Sequence, residues 1–105
     1  MNSSDDFEID NKFEQTYFRI ITKFLKRESG VDEFINEYMS RWKADINTAS
    51  DERFRRIINR LFTSCDCYNA EPNKKYYEIS EDELWDEVHL LSYIWWGYVV
   101  PIDKR

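Results

Sequence analysis

Glycine and proline are nearly missing from this chain: Gly30, Gly97, Pro72 and Pro101 are the whole complement in 105 residues. A sheet-rich fold needs far more turn punctuation, so the scarcity favours helices. Long apolar runs are missing as well. The nearest approach, Leu90 to Val100, is short and interrupted by Ser92, Gly97 and tyrosines, well below the roughly 20 residues that cross a bilayer. The opening segment MNSSDDFEID has neither the basic nor the apolar region of a secretion signal, so the expected location is the cytoplasm, with no membrane partner. Cysteine is confined to Cys65 and Cys67, one residue apart, and histidine to His89. A disulfide between such close neighbours is strained, and a structural zinc site needs two further ligands. The expectation is two free thiols in a reducing compartment, with no metal and no cofactor.

What the chain does have is aromatic and aliphatic mass. Hydrophobic residues make up 42% and aromatics 17%, enough for burial to offset the ordering entropy of one compact domain. The length leaves no room for a second core. Its formal net charge of −6 is concentrated in one place. From Ser64 to Leu91 there are eight acids against two bases, whereas the remainder holds thirteen of each. A field that local repels nucleic acid and steers a basic partner. The plainer alternative is a solvated helix face that serves solubility.

Periodicity then divides the chain. Residues 1–9 read as a frayed acidic arm, and residues 10–105 as the helical domain. Phe13, Tyr17, Ile20, Ile21 and Phe24 recur at helical spacing over Asp10 to Arg27, and Ser29-Gly30 breaks the run. Val31, Phe34, Ile35, Tyr38, Met39 and Trp42 mark a second helix capped by Ser29 or Gly30; it loses its period at Ala44-Asp45. After a linker to Ser50, the expected cap, Phe54, Ile57, Ile58, Leu61, Phe62 and Cys65 mark a third. Its other side carries Arg53, Arg55, Arg56 and Arg60, expected to pair with carboxylates on neighbouring helices rather than with nucleic acid. Asn69 to Tyr77 reads as a loop. Ser80-Glu81-Asp82-Glu83 is a capping box, with Ile79 and Leu84 placed as a hydrophobic staple. Leu84, Val88, Leu91 and Trp95 give the inner face of a fourth helix that Gly97 or Pro101 stops. The fold class this predicts is all-α, a single-domain four-helix bundle.

No phosphate loop or zinc-protease motif occurs. Cys65 or Cys67 with His89 lacks an orienting group for nucleophilic catalysis. Glu81, Asp82, Glu83, Asp86 and Glu87 could form an acid–base pair only if one carboxyl were sunk in an apolar cleft. At a helix N-terminus the ionised form is favoured instead, so they read as a charged surface and the protein as a non-enzyme. Trp85 and Trp96 fall off the inner stripe. Either a wide core takes all four tryptophans, or these two with Tyr98 form an alternative binding surface, for an adaptor or a homodimer.

Three phrases carry a family resemblance. Phe34-Ile35-Asn36-Glu37-Tyr38 opens the second helix, Leu61-Phe62 with Asp66 and Tyr68 closes the third, and Glu81-Asp82-Glu83-Leu84 opens the fourth. Over residues 13–91 the chain resembles the bacterial immunity proteins of the colicin D type, which also protect cells carrying contact-dependent inhibition toxins. The resemblance implies a four-helix bundle that binds and blocks a basic toxin nuclease domain, often one that cuts tRNA; the expected state is a monomer, with a homodimer as the alternative. It nominates Asp66, Glu71, Glu81, Asp82, Asp86 and Glu87 as toxin contacts, with Tyr68 as an aromatic anchor. The aromatic end from Tyr93 to Val100 has no counterpart in those phrases.

Overall fold

The computed structural model of the chain describes residues 12–45, 51–71 and 75–100. Its helices are α1 (Lys12–Leu25), α2 (Val31–Ala44), α3 (Glu52–Cys67) and α4 (Glu81–Trp96). Each packs against its neighbours in sequence, and α1 also meets α4, so the four close into an all-α bundle. The expected acidic arm and the linker residue Ser50 lie outside the described residues.

Cross-helix bonds give the directions. Lys23 late in α1 reaches Glu33 and Glu37 early in α2, at 3.4 and 3.1 Å. Trp42 Nε1 late in α2 donates to Asn59 Oδ1 in the first half of α3 at 2.9 Å. Trp85 Nε1, early in α4, donates to the Leu25 carbonyl that ends α1, at 3.2 Å. Trp95 and Trp96 Nε1, late in α4, donate to Glu14 Oε1 early in α1, at 2.9 and 3.2 Å. Neighbours therefore run antiparallel. One end of the bundle gathers the C-termini of α1 and α3, the N-termini of α2 and α4, and the α3–α4 loop.

The stripes read from periodicity supply the core. Tyr17, Ile21, Phe24, Phe34, Tyr38, Phe54, Ile58, Leu61, Leu84, Val88 and Leu91 are all buried. Aromatic rings fill much of it: Phe24 stacks on Phe34 at 4.3 Å, and Tyr17 meets Tyr38 edge-on at 5.6 Å. Each buried phenol finds an acceptor, as an aromatic with a polar tip requires. Tyr38 donates to the Ile58 carbonyl at 2.6 Å and Tyr17 to Asp45 Oδ2 at 3.0 Å.

Several local readings are corrected. α1 ends at Leu25, two residues short of the expected Arg27. Arg27 adopts φ 63°, and the Arg27 and Glu28 amides bond back to Phe24 and Lys23 carbonyls at 3.0 and 2.9 Å. A non-glycine residue in that left-handed position costs about 1 kcal/mol. The Arg27 guanidinium lies 5.1 Å over the Trp85 ring, which favours the turn. Of the two caps expected for α2, Gly30 holds the position, with no side-chain bond, and Ser29 Oγ is buried without a hydrogen-bond partner among the described residues. Asp51, not Ser50, caps α3 by accepting from the Arg53 and Phe54 amides. Asp45, read as linker, is buried beneath a bidentate bond from Arg41 at 2.9 and 3.0 Å. The α3 arginines divide evenly: Arg53 pairs with Asp51 and Arg56 with Glu52 at the start of their own helix, while Arg55 donates to the Asp45 carbonyl at the end of α2 at 3.3 Å and Arg60 reaches Glu87 on α4.

Burial holds both core phenols well above the ordinary tyrosine range, with Asp45 adding to the effect at Tyr17. Their folded values lie above the unfolded one, so their stabilisation is complete below about pH 10 and declines as pH rises beyond it. The melting temperature followed by circular dichroism should therefore fall from about pH 10 upward, and less steeply in Tyr38→Phe. An identical decline in wild type and variant would contradict this account.

Candidate functional site

The expected site depends on where the α3–α4 junction points. α3 ends at Tyr68, whose amide bonds the Cys65 carbonyl at 3.2 Å. The chain then leaves and returns through a narrow neck. Asn69 N donates to Ile79 O and Ile79 N to Cys67 O, both at 3.0 Å, as an isolated parallel bridge. Glu78 lies inside that loop, its Oε1 accepting from Asn69 Nδ2 and from the Lys75 amide at 2.9 and 2.8 Å. One of the segment's eight acids is thus spent on holding the loop together. Asn69 Oδ1 accepts from the Glu71 amide at 2.9 Å, which turns Glu71 outward.

The capping box then starts α4. Ser80 N donates to Glu83 Oε1 at 2.8 Å, and Glu83 N to Ser80 Oγ at 3.2 Å. Ile79 packs against the core to which fully buried Leu84 belongs, the two positions a staple uses. With that entry angle set, Glu81, Asp82 and Asp86 are exposed, as are Asp66 on α3 and Glu71 in the loop. Glu87 is half-buried and pairs with Arg60 at 3.5 Å, so part of its charge is neutralised within the molecule.

Tyr68 is half-buried among these groups. Partial desolvation raises its phenol above the ordinary range, and the charges of Glu81 and Asp32 add to the rise. Asp32 belongs to the first turn of α2 and is exposed. Sequence reading missed it, because nothing in one dimension places residue 32 beside residue 81. The end of the bundle thus carries carboxylates from α2, α3, the loop and α4. Lys26 and Arg27 at the end of α1 border it, Arg27 being turned onto Trp85.

The tryptophan surface expected as an alternative does not include Trp85. Trp85 is buried, 3% exposed. Trp96 lies edge-on against Phe18 at 4.9 Å, and Tyr98 does the same at 5.4 Å. A helix-wheel stripe narrower than the real contact misassigned Trp85; its indole edge faces the end of α1 and the turn that follows, a neighbour that periodicity does not contain.

Groups with strongly displaced protonation are internal. Burial, with a smaller contribution from Asp66, pushes the Cys65 thiol up to about 12. A groove of about 680 Å³ between α1 and α2 is lined by Thr16, Arg19, Lys23, Glu37 and Arg41. None of the displaced groups Tyr17, Tyr38 and Cys65 lines it, so it gives an enzyme reading no support. No cluster of three metal-ligating side chains occurs among the described residues. No helix among them is long and apolar enough to cross a membrane.

In the folded protein at neutral pH, Cys65 should resist alkylation by iodoacetamide while half-exposed Cys67 reacts, because the thiolate is the reactive species. Equal rates without unfolding would contradict the burial of Cys65.

Comparison with known proteins places residues 13–91 in a family model described as bacterial self-protective colicin-like immunity. Neither the curated proteins nor the solved structures contain a match to the chain.

Proposed function

The chain belongs to the bacterial colicin-like immunity family, and we propose that it neutralises a cognate toxin whose killing domain is a basic ribonuclease, with tRNA as the favoured substrate class. A nuclease that grips RNA needs a cationic cleft, since phosphate contacts dominate its affinity. Carboxylates fixed at one end of a rigid bundle occupy such a cleft in the place of phosphates.

The observation that carries this reading is the coincidence of charge and exposure. The segment from Ser64 to Leu91 holds the whole net charge, and Asp66, Glu71, Glu81, Asp82 and Asp86 in it are exposed. Tyr68 sits among them as the aromatic anchor. Glu87 contributes less than its neighbours, because Arg60 already holds it. Asp32 joins the contact set through its place beside Tyr68. The protein acts as a monomer, by binding alone, in the cytoplasm where an RNA-cutting toxin meets its substrate.

The test is the double charge reversal Asp82→Lys with Asp86→Lys, both exposed and outside the core. Helicity should persist, while association with a toxin nuclease domain against which the wild type protects cells slows by about a hundredfold at low salt, within the range that electrostatic steering spans. Raising the salt should slow the wild type towards the variant. Full protection of cells by the reversed protein would remove this site from consideration.

A further inference from the structure

The solvent-facing side of α4 changes character halfway along. Its exposed residues read Glu81, Asp82, Glu83 and Asp86, then Leu90, Tyr93 and Ile94. The three apolar side chains are 47%, 59% and 58% exposed, far beyond what a solvated helix face needs. Eleven residues make about three helical turns, so Tyr93 stands in line with Asp82 and Ile94 in line with Glu83. Carboxylates and apolar groups thus form one continuous strip. All the large hydrophobic side chains exposed among the described residues fall between Tyr76 and Val99, and none lies on α1, α2 or α3.

Resting on the reading above, we propose that Leu90, Tyr93 and Ile94 are the apolar half of the toxin-binding surface. They fill a hydrophobic pocket that the basic toxin domain carries beside its cationic cleft. Charge complementarity selects this occupant. α4 contains five acids and neither lysine nor arginine. An antiparallel pairing with a second copy's α4 would press carboxylates against Leu90, Tyr93 and Ile94 with no cation on either helix, and burying such charges unpaired is costly. An anionic membrane surface is repelled by the same carboxylates. A basic protein with an apolar pocket meets both halves at once. The division of labour follows: exposed charges steer encounter, and desolvated apolar anchors slow escape.

The test is Leu90→Gln with Ile94→Gln, which keeps helix-forming residues and removes exposed rather than core carbon. Binding kinetics are measured against a toxin nuclease domain against which the wild type protects cells, in parallel with the Asp82→Lys, Asp86→Lys protein. The glutamine variant should dissociate about thirtyfold faster, the loss typical of a truncated anchor pair. Its association rate and salt dependence should match the wild type. If dissociation is unchanged while the charge-reversed protein still associates slowly, the apolar half is overturned and the acidic site stands. If both variants bind like the wild type, the acidic site falls too. A wild-type protein that sediments as a dimer, with the glutamine variant monomeric, would assign this strip to a second copy and also overturn the proposal.

Discussion

Three indole N–H bonds determine which way α4 is turned, and everything proposed for its outer face follows from that rotation. Trp85 is tied to the last carbonyl of α1, and Trp95 and Trp96 to Glu14 near its start. The two ends of α4 are thereby held against the two ends of one neighbour. A helix fastened at both ends cannot roll, and a roll of one residue, about 100°, would carry Asp82 and Asp86 towards the core. Fully buried Leu84 and Val88 reinforce the same setting from within. The acids and the apolar strip face outward because the inward positions are already filled.

The acidic end is also the place in the bundle where negative charge is least costly. The N-termini of α2 and α4 meet there, and each presents unsatisfied amides and the positive end of a helix dipole. Asp32 and Glu33 lie in the first turn of one, and Glu81, Asp82 and Glu83 in the first turn of the other. Water screens the remaining repulsion between exposed groups. Local helix electrostatics thus allows a density of carboxylates that a helix middle would not tolerate. The molecule does not need all of them for its own fold. Glu83 closes the capping box and Glu78 closes the loop, whereas Asp82 and Asp86 remain turned to solvent.

An inhibitor of this kind has two separable tasks, meeting the toxin quickly and holding it. On the proposed reading the surface divides in the same way. Charge acts over about 10 Å in solution and governs encounter; apolar contact acts only on touching and governs residence. Family membership places the protein among self-protective immunity proteins, for which both matter. Specificity among similar toxins is a difference between affinities, and an apolar strip that must match a pocket's shape discriminates more finely than a field of carboxylates.

Helix number, the capping box, the stop at Gly97 and most of the core were legible in the chain itself, since they depend on spacing of 3.6 residues and on local backbone bonds. Concentrated charge was equally plain, because counting needs no coordinates. Other features were decided only by tertiary contact. Asp45 looked like linker until Arg41 and Tyr17 closed on it. Trp85 lay off the inner stripe, open to either core or surface, until the end of α1 covered it. Asp32 joined the acidic end only when antiparallel packing brought α2 beside the α3–α4 junction. The α4 strip escaped notice because Leu90, Tyr93 and Ile94 lie off the inner stripe of Leu84, Val88, Leu91 and Trp95, and spacing alone does not say whether a second apolar face finds a neighbour. Sequence specifies what each helix can bury; only the assembled bundle determines which of those faces finds a neighbour and which is left to water.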